Sequence, residues 1–326
     1  MDYLSIIKQP IVHELSEFNA LFEQSLTNSQ DGLLDAALRH ISQRVGKRMR
    51  PILTLLIAKN FGTISLTTYH GAIALELLHT ASLVHDDVVD DSSERRGQAS
   101  VNASFNNKVA VLVGDYILST ALLHVSYTNR QAIVENLAQL GRTLAAGEIQ
   151  QLDNIKSKEI SEDVYFQIIE KKTAVLFESC AAVGALSVGA KMEDVHLAQQ
   201  FGKTLGLIFQ IRDDIFDYFN GTEIGKPTGN DMAEGKLTLP VIYALNSTHD
   251  EDTLKLARKV KSGQVSPDEI ATLVAFTKKN GGIEYAEKRM QDYSQQCKDY
   301  IKSNIRNEVI KESLMSYVDY VVQRNY

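Results

Sequence analysis

Apolar positions recur at helical spacing along the whole chain. Ile133, Leu137, Leu140 and Leu144 fall at i, i+4, i+7 and i+11, one stripe of an amphipathic helix. Ser266-Pro267-Asp268-Glu269 predicts a helix start, with Ser as N-cap, Pro in the first position and Glu closing a capping box. No alternating apolar–polar segment of useful length competes. Helix breakers are scarce: the five prolines stand at 10, 51, 227, 240 and 267, roughly a third of average usage. The pattern therefore predicts an all-α protein. With no linker, repeat or low-complexity tract in view, residues 1–326 are expected to form one domain. The least helical internal stretch, Asn220–Gly235, is rich in Gly, Asn, Thr and Asp. It reads as a surface connection or a closing lid, since loops of this length in compact domains are often functional.

Composition narrows the function. The 44% apolar and 23% charged fractions are those of an ordinary globular protein. A net charge of −7 argues against nucleic acid or anionic lipid as a general partner. Cys180 and Cys297 have no metal-type spacing and indicate no disulfide framework, which fits a reducing cytoplasm. The N-terminus, Met1-Asp2-Tyr3-Leu4-Ser5, lacks the basic and apolar regions of a signal peptide. The longest apolar stretch, Val109 to Leu118, is interrupted by Asp115 and is too short to span a bilayer, so no transmembrane segment is expected.

Two acidic clusters carry the chemistry. Asp86-Asp87-Val88-Val89-Asp90 and Asp213-Asp214-Ile215-Phe216-Asp217 repeat one pattern, DDxxD, 127 residues apart. On a helix, i and i+4 share a face, so Asp86 projects with Asp90 and Asp213 with Asp217. Like charges at that spacing destabilise a helix by roughly 0.2–0.5 kcal/mol per pair. Both clusters sit among apolar residues such as Leu83, Val84, Ile211 and Ile215. Carboxylates crowded near a core repel unless a cation joins them. Mg²⁺ suits them, because one or two carboxylates plus substrate phosphate usually hold it. A plain solvated acidic face is the alternative for either cluster alone. Two matched copies favour the metal, and the absence of an EF-hand loop disfavours calcium.

Positive charge accompanies the acids. Arg95-Arg96-Gly97 follows the first cluster, and Lys226 and Lys236 follow the second. Gly46-Lys47-Arg48-Met49-Arg50-Pro51 leads into an apolar helical run, and Pro51 fits a helix start, where free N–H groups favour an anion. Lys171-Lys172-Thr173 adds two charges and a hydroxyl. His79 lies one heptad before Asp86, on nearly the same helix face. A lone His there reads as a core residue; beside these clusters it is a candidate phosphate ligand.

GKRMRP, LLHTASLVHDDVVDDSSERRG, the KKT segment, GLIFQIRDDIFD and GKPTGNDMAEGKLTLP occur in a fixed order between Gly46 and Pro240. In these motifs the chain resembles the trans-isoprenyl diphosphate synthases (polyprenyl synthetases). The resemblance implies a single-domain isoprenoid-synthase fold, long helices around a deep central cavity, as a homodimer. Its substrates would be isopentenyl diphosphate and an allylic diphosphate. Lys47, Arg50, His79 and Arg96 would hold the former. Arg95, Lys172, Thr173, Gln210 and Lys226, assisted by Lys236, would bind the latter, with Arg95, Lys172, Thr173 and Gln210 serving catalysis. Asp86, Asp90 and Asp213 would be the main ligands of several Mg²⁺ ions, supported by Asp87, Asp214 and Asp217. The reaction would run by ionisation, condensation and elimination, the proton leaving to released pyrophosphate. Some relatives end in a more basic tail, whereas this C-terminus carries only Arg324, which puts a closing role for the tail in doubt.

Product length follows from helix geometry. One turn rises about 5.4 Å, comparable with one extended isoprene unit. A chain growing away from the first DDxxD passes the residues upstream of it. Ser82 and Ala81, four and five before Asp86, are small, where short-chain relatives carry bulky aromatics. Leu78, Leu75 and Ala74 come next. The expected product is therefore long, of the octaprenyl type suited to quinone side chains, and passes to membrane enzymes. Rival readings are a farnesyl or geranylgeranyl synthase, a terpene cyclase, and a subunit of a heteromeric prenyl synthase. The second DDIFD and the GKRMRP segment disfavour the cyclase, and possession of both acidic motifs disfavours the subunit.

Overall fold

The computed structural model describes residues 2–27, 32–43, 46–95, 97–157, 159–219 and 228–324. Arg96 and Lys226 lie outside the described residues, as does the 220–227 part of the predicted loop. The chain is all-α, as its periodicity predicts. Its elements are α1 (Tyr3–Lys8), a 3₁₀ turn (Gln9–Ile11), α2 (Val12–Ser25), α3 (Leu33–Ser42), α4 (Met49–Phe61) and α5 (Leu66–Val89). A minimal hairpin of β1 (Glu94–Arg95) and β2 (Gln98–Ala99) follows, then α6 (Val101–Ser104), α7 (Asn107–Tyr127), α8 (Gln131–Lys156) and α9 (Glu162–Ile169). A π-helical turn (Glu170–Ala174) leads into α10 (Val175–Ser187) and α11 (Met192–Phe216). The last elements are α12 (Asn230–Ala233), α13 (Leu239–Thr248), α14 (Glu251–Lys261), α15 (Pro267–Lys279), α16 (Gly282–Asn304) and α17 (Glu308–Gln323).

By contacts the chain forms two compact units. The first comprises residues 1–141, 176–200 and 305–314. Its core is the long pairing of α5 with α7, with α4 laid against α5. Ile52, Leu53, Leu55, Leu56 and Ile57 of α4 are fully buried. Each such side chain stabilises the fold by about 1.5–3 kcal/mol through burial. A capping box starts α5: the Ser65 N–H donates to Thr68 Oγ1 at 3.4 Å, and that hydroxyl also lies 2.9 Å from Ser187 Oγ. Ile133, Leu137 and Leu140 of the predicted stripe are buried.

Helix α7 departs from the sequence expectation. Its apolar run is short, but neutral Ala, Gly, Ser and Thr residues extend it. By length and composition alone, Asn107–Tyr127 is apolar enough to cross a membrane. Its apolar residues divide between two faces. Ala110, Val113, Ile117, Ala121 and Val125 are buried. Leu112, Tyr116, Leu122, Leu123 and Tyr127 are exposed, with Leu112, Tyr116, Leu123 and Tyr127 at i, i+4, i+11 and i+15 on one stripe.

The second unit comprises residues 142–175, 201–304 and 315–326. Here α13 packs on α16, α15 and α9, and α12 rests on α14 and α15. The predicted capping box opens α15: the Ser266 N–H donates to Glu269 Oε2 at 2.9 Å and the Glu269 N–H to Ser266 Oγ at 3.3 Å. Cys180, in the first unit, and Cys297, in the second, are both free and buried.

Candidate active site

In the first unit the acidic motif occupies the end of α5. Asp86 and Asp87 lie in its last turn and Asp90 is the C-cap. Asp91 follows in the left-handed region at φ 48°, and the Ser92 N–H donates back to Asp87 O at 2.9 Å. The carboxylates thus stand at the negative end of a helix dipole. Negative charge there is destabilised by about 0.3–1 kcal/mol per group. The three differ in surroundings. Asp87 is 1% exposed and accepts from Arg95 Nε at 2.5 Å, whereas Asp86 is half-buried and Asp90 exposed.

A pocket of about 80 Å³ beside this helix end is lined by Arg48, Glu76, His79, Asp87 and Arg95 with Phe22. The structure therefore brings His79, Asp87 and Arg95 together. Arg48 enters unpredicted, pairing with Glu76 at 3.1 Å and stacking 4.1 Å over Phe22. Its backbone is left-handed, φ 56°, an uncommon state for a long side chain. Lys47 is exposed, and Arg50 stacks 5.3 Å from the Phe177 ring; neither lines this pocket. Upstream on α5, Ala81 and Leu78 are buried, and half-buried Ser82 donates its hydroxyl to His79 O at 2.9 Å.

The second motif repeats the arrangement at the end of α11. Asp213 and Asp214 lie in the last turn and Asp217 just past it. Again the middle carboxylate is the buried one: Asp214 is 3% exposed, while Asp213 and Asp217 are half-buried. Asp217 accepts the N–H groups of Asn230 at 2.9 Å and Asp231 at 3.2 Å, capping α12. Asp213 forms an ion pair with Arg324, whose guanidinium also donates to Phe209 O at 3.0 Å and stacks 3.7 Å over the Phe209 ring. The tail's one cation thus sits on a predicted metal ligand.

Within the second unit a cavity of about 160 Å³ gathers Lys172, Thr173, Gln210, Asp214 and Lys236. The π turn Glu170–Ala174 presents Lys172 and Thr173, and π turns of this kind recur at functional sites. Two glycines clamp it. A side chain at Gly147 would meet Lys171 Cβ at 2.8 Å, and one at Gly206 would meet Ala174 Cα at 2.5 Å. Lys172 pairs with Glu148 and Lys236 with Glu234, each at 2.6 Å.

A hydrogen-bonded relay orders this cavity. Thr173 Oγ1 donates to Gln210 Oε1 at 2.6 Å, and Gln210 Nε2 donates to Asp214 Oδ1 at 2.7 Å. Tyr165 donates its hydroxyl to Asp214 Oδ2 at 2.5 Å. Burial and then Asp231 hold the Asp214 carboxyl well above the usual carboxylate range, while the Tyr165 and Gln210 donors oppose that rise. Burial and then Asp217 push Asp231 up to about 7, against the pull of Lys236. Burial thus raises both carboxyls more than any neighbouring charge does.

The donor sets fit a divalent cation. Each motif offers accessible oxygen ligands at a negative helix end, hard donors of the kind Mg²⁺ takes. Among the described residues no three or more His, Cys, Asp or Glu side chains close into a metal cage. Mg²⁺ needs none, since substrate phosphate and water complete its shell.

Sequence reasoning missed Tyr165, Asp231, Glu76, Glu148 and Glu234. Glu76 had a signal, as an acid in the apolar run LELLHT three residues before His79. Tyr165 had none, because its partner lies 49 residues away.

The sequence profile of polyprenyl synthetases matches residues 31–276. The octaprenyl diphosphate synthase of Haemophilus influenzae is 35% identical over 300 residues, 92% of this chain and 91% of that protein. The solved geranylgeranyl pyrophosphate synthase from Bacteroides thetaiotaomicron is 48% identical, with TM-score 0.88 over 99% of this chain and 100% of that one. A decaprenyl diphosphate synthase from Rhodobacter capsulatus is 31% identical, with TM-score 0.90 over 98% of each. The chain belongs to the polyprenyl synthetase family.

Proposed function

We propose that this protein is an all-trans polyprenyl diphosphate synthase that adds isopentenyl diphosphate units to an allylic diphosphate and releases a long-chain product. The observation that carries the reading is the paired design of the two DDxxD motifs. Each ends a long helix and buries its middle carboxylate in internal bonds, while Asp86, Asp90 and Asp213 keep more exposure and Asp217 caps α12. Family membership supports the same chemistry, and the octaprenyl and decaprenyl relatives support the length.

Mg²⁺ bound at these carboxylates would neutralise the leaving diphosphate and lower the barrier to ionisation. Lys172 and Lys236 add positive charge at the allylic group, and Thr173 and Gln210 orient it. The allylic C–O bond breaks with its electron pair leaving on the diphosphate. The isopentenyl double bond then forms the new C–C bond, and a proton leaves to pyrophosphate. His79, Arg95 and Arg48, around the first-unit pocket, suit the isopentenyl diphosphate. Lys47, Arg50 and, by motif, Arg96 and Lys226 complete the anion-binding set. Asp86, Asp90 and Asp213 serve as metal ligands, with Asp87 and Asp217 holding the motifs in shape. The residues 1–326 act as one polyprenyl synthetase domain.

The exposed apolar face of α7 supports a homodimer, because contiguous patches of this kind mark association surfaces. Free, buried cysteines fit a cytoplasmic site of action. A geranylgeranyl product is the second reading, favoured by the Bacteroides relative at 48% identity. The direct test is incorporation of labelled isopentenyl diphosphate into extractable polyprenyl products. Incorporation that requires Mg²⁺ and stops with chelator is expected. Metal-independent incorporation, or none with any allylic primer, would contradict the proposal.

A further inference from the structure

We infer that His70 and His124 form a two-histidine Zn²⁺ site in the first unit, separate from the acidic motifs and from the reaction they serve. His70 stands in the second turn of α5 and His124 in the last turn of α7. The two helices run antiparallel. Near the end of α5, His85 lies against Gly114 and Val111 O; near its start, His70 meets His124. Nδ1 of one ring is 3.1 Å from Nδ1 of the other, with ring centroids 5.2 Å apart. Both rings are half-buried, and the exposed Tyr127 stands edge-on to them at 5.3 and 5.9 Å.

In the metal-free protein the Nδ1–H of one imidazole donates to the Nδ1 lone pair of the other. Both Nδ1 atoms therefore face one gap, and their separation is close to the bite of a metal. Zn–N bonds of about 2.0–2.1 Å at the tetrahedral angle set their nitrogens about 3.3–3.4 Å apart. A side-chain shift of about 0.2–0.3 Å thus admits the ion. On binding, the donor ring carries its proton on Nε2 instead of Nδ1, and no net proton is released. Burial holds His70 below its ordinary value, and burial, then His70, pushes His124 down to about 4. At neutral pH both rings are the neutral ligands that a metal requires. Imidazole suits Zn²⁺ and Cu²⁺, whereas Mg²⁺ prefers oxygen. Among the described residues no third His, Cys, Asp or Glu joins the pair, so water completes the shell. Each ligand sits on a long packed helix, which fixes their separation better than a loop does. The ion would clasp the start of α5 to the end of α7, at the opposite end of α5 from Asp86 and Asp90.

The test is a calorimetric Zn²⁺ titration of the full chain after chelator treatment, with excess Mg²⁺ present to occupy the carboxylate motifs. Wild type is compared with His70→Gln and His124→Gln. One Zn²⁺ per chain is expected in the wild type. Each variant should bind about tenfold or more weakly, since even a residue that only supports a metal ligand is worth about 10–100-fold. Zn²⁺ should raise the melting temperature of the wild type and not of the variants. Equal binding by all three chains would place the ion elsewhere and overturn the inference, and so would no binding by the wild type. Circular dichroism of the metal-free variants checks that they fold. Should a variant not fold, paramagnetic resonance of Cu²⁺ on the wild type decides: nitrogen couplings from two imidazoles support the site, and an oxygen-only spectrum refutes it. None of these readouts depends on prenyl transfer, so an inactive chain that binds Zn²⁺ here would overturn the proposed function alone.

Discussion

Replacing Ala81 by Phe should shorten the product. Ala81 stands on α5 five residues before Asp86 and is 2% exposed. At 1.5 Å per residue it lies about 7.5 Å up the helix from the motif, with Leu78 at about 12 Å and Ala74 at about 18 Å. A chain that now passes Ala81 as far as Ala74 travels about 10 Å further than one stopped at Ala81. That is roughly two helical turns, and so about two isoprene units. A benzyl group in a packed position also costs about 1–3 kcal/mol of stability, so the variant's melting temperature is measured beside its products. Ser82→Tyr is the companion variant, because Ser82 is only half-buried and accommodates bulk at lower strain. Reverse-phase chromatography of dephosphorylated products, from farnesyl diphosphate and labelled isopentenyl diphosphate, reads the distribution. The expected result is a shift of the main product down by two or more units, with the first addition still proceeding. An unchanged distribution in a folded variant would refute the argument that α5 bounds the growing chain.

Three further outcomes follow from local geometry. Gly206→Ala should destabilise the protein by about 1–3 kcal/mol and slow catalysis, since its Cβ would lie 2.5 Å from Ala174 Cα beneath Lys172 and Thr173; calorimetry and kcat measure it. Arg324→Gln should lower metal-free stability by about 1 kcal/mol through loss of the Asp213 ion pair. That deficit should vanish with saturating Mg²⁺ and pyrophosphate, as melting curves with and without them would show. His70 and His124 share a 3.1 Å Nδ1–Nδ1 contact, and burial, then His70, pushes His124 down to about 4. Between the unfolded value near 6.5 and about 4 the unfolded chain binds more protons, so stability falls as pH falls through that window. His124→Gln should flatten the fall in a pH series of melts.

Local signals made much of this protein readable in advance. Helical periodicity, the Ser266–Glu269 box and the two DDxxD clusters all depend on residues within a few turns of one another. The structure bears out both helix assignments, with each motif on the last turn of its helix. Long-range pairing was not readable. The motifs rank Asp87 and Asp214 as supporting metal ligands, yet both are buried, on Arg95 and Tyr165 respectively. The π turn at Glu170–Ala174 has no composition of its own; close approach of Gly147 and Gly206 accompanies it. Arg324 is the one cation of a tail whose closing role the sequence puts in doubt, and only folding brings it to Asp213, 111 residues away. The apolar stretch Val109–Leu118, interrupted by Asp115, understates α7 because neutral small residues extend the helix beyond it.

Product chromatography of the purified wild-type chain with Mg²⁺, farnesyl diphosphate and labelled isopentenyl diphosphate tests the central claim most directly. The account predicts a ladder that ends in polyprenyl diphosphates longer than geranylgeranyl. A ladder ending at geranylgeranyl would contradict the argument that the small side chains of Ala81 and Ser82 set no floor for the growing chain, and no condensation at all would contradict the activity itself.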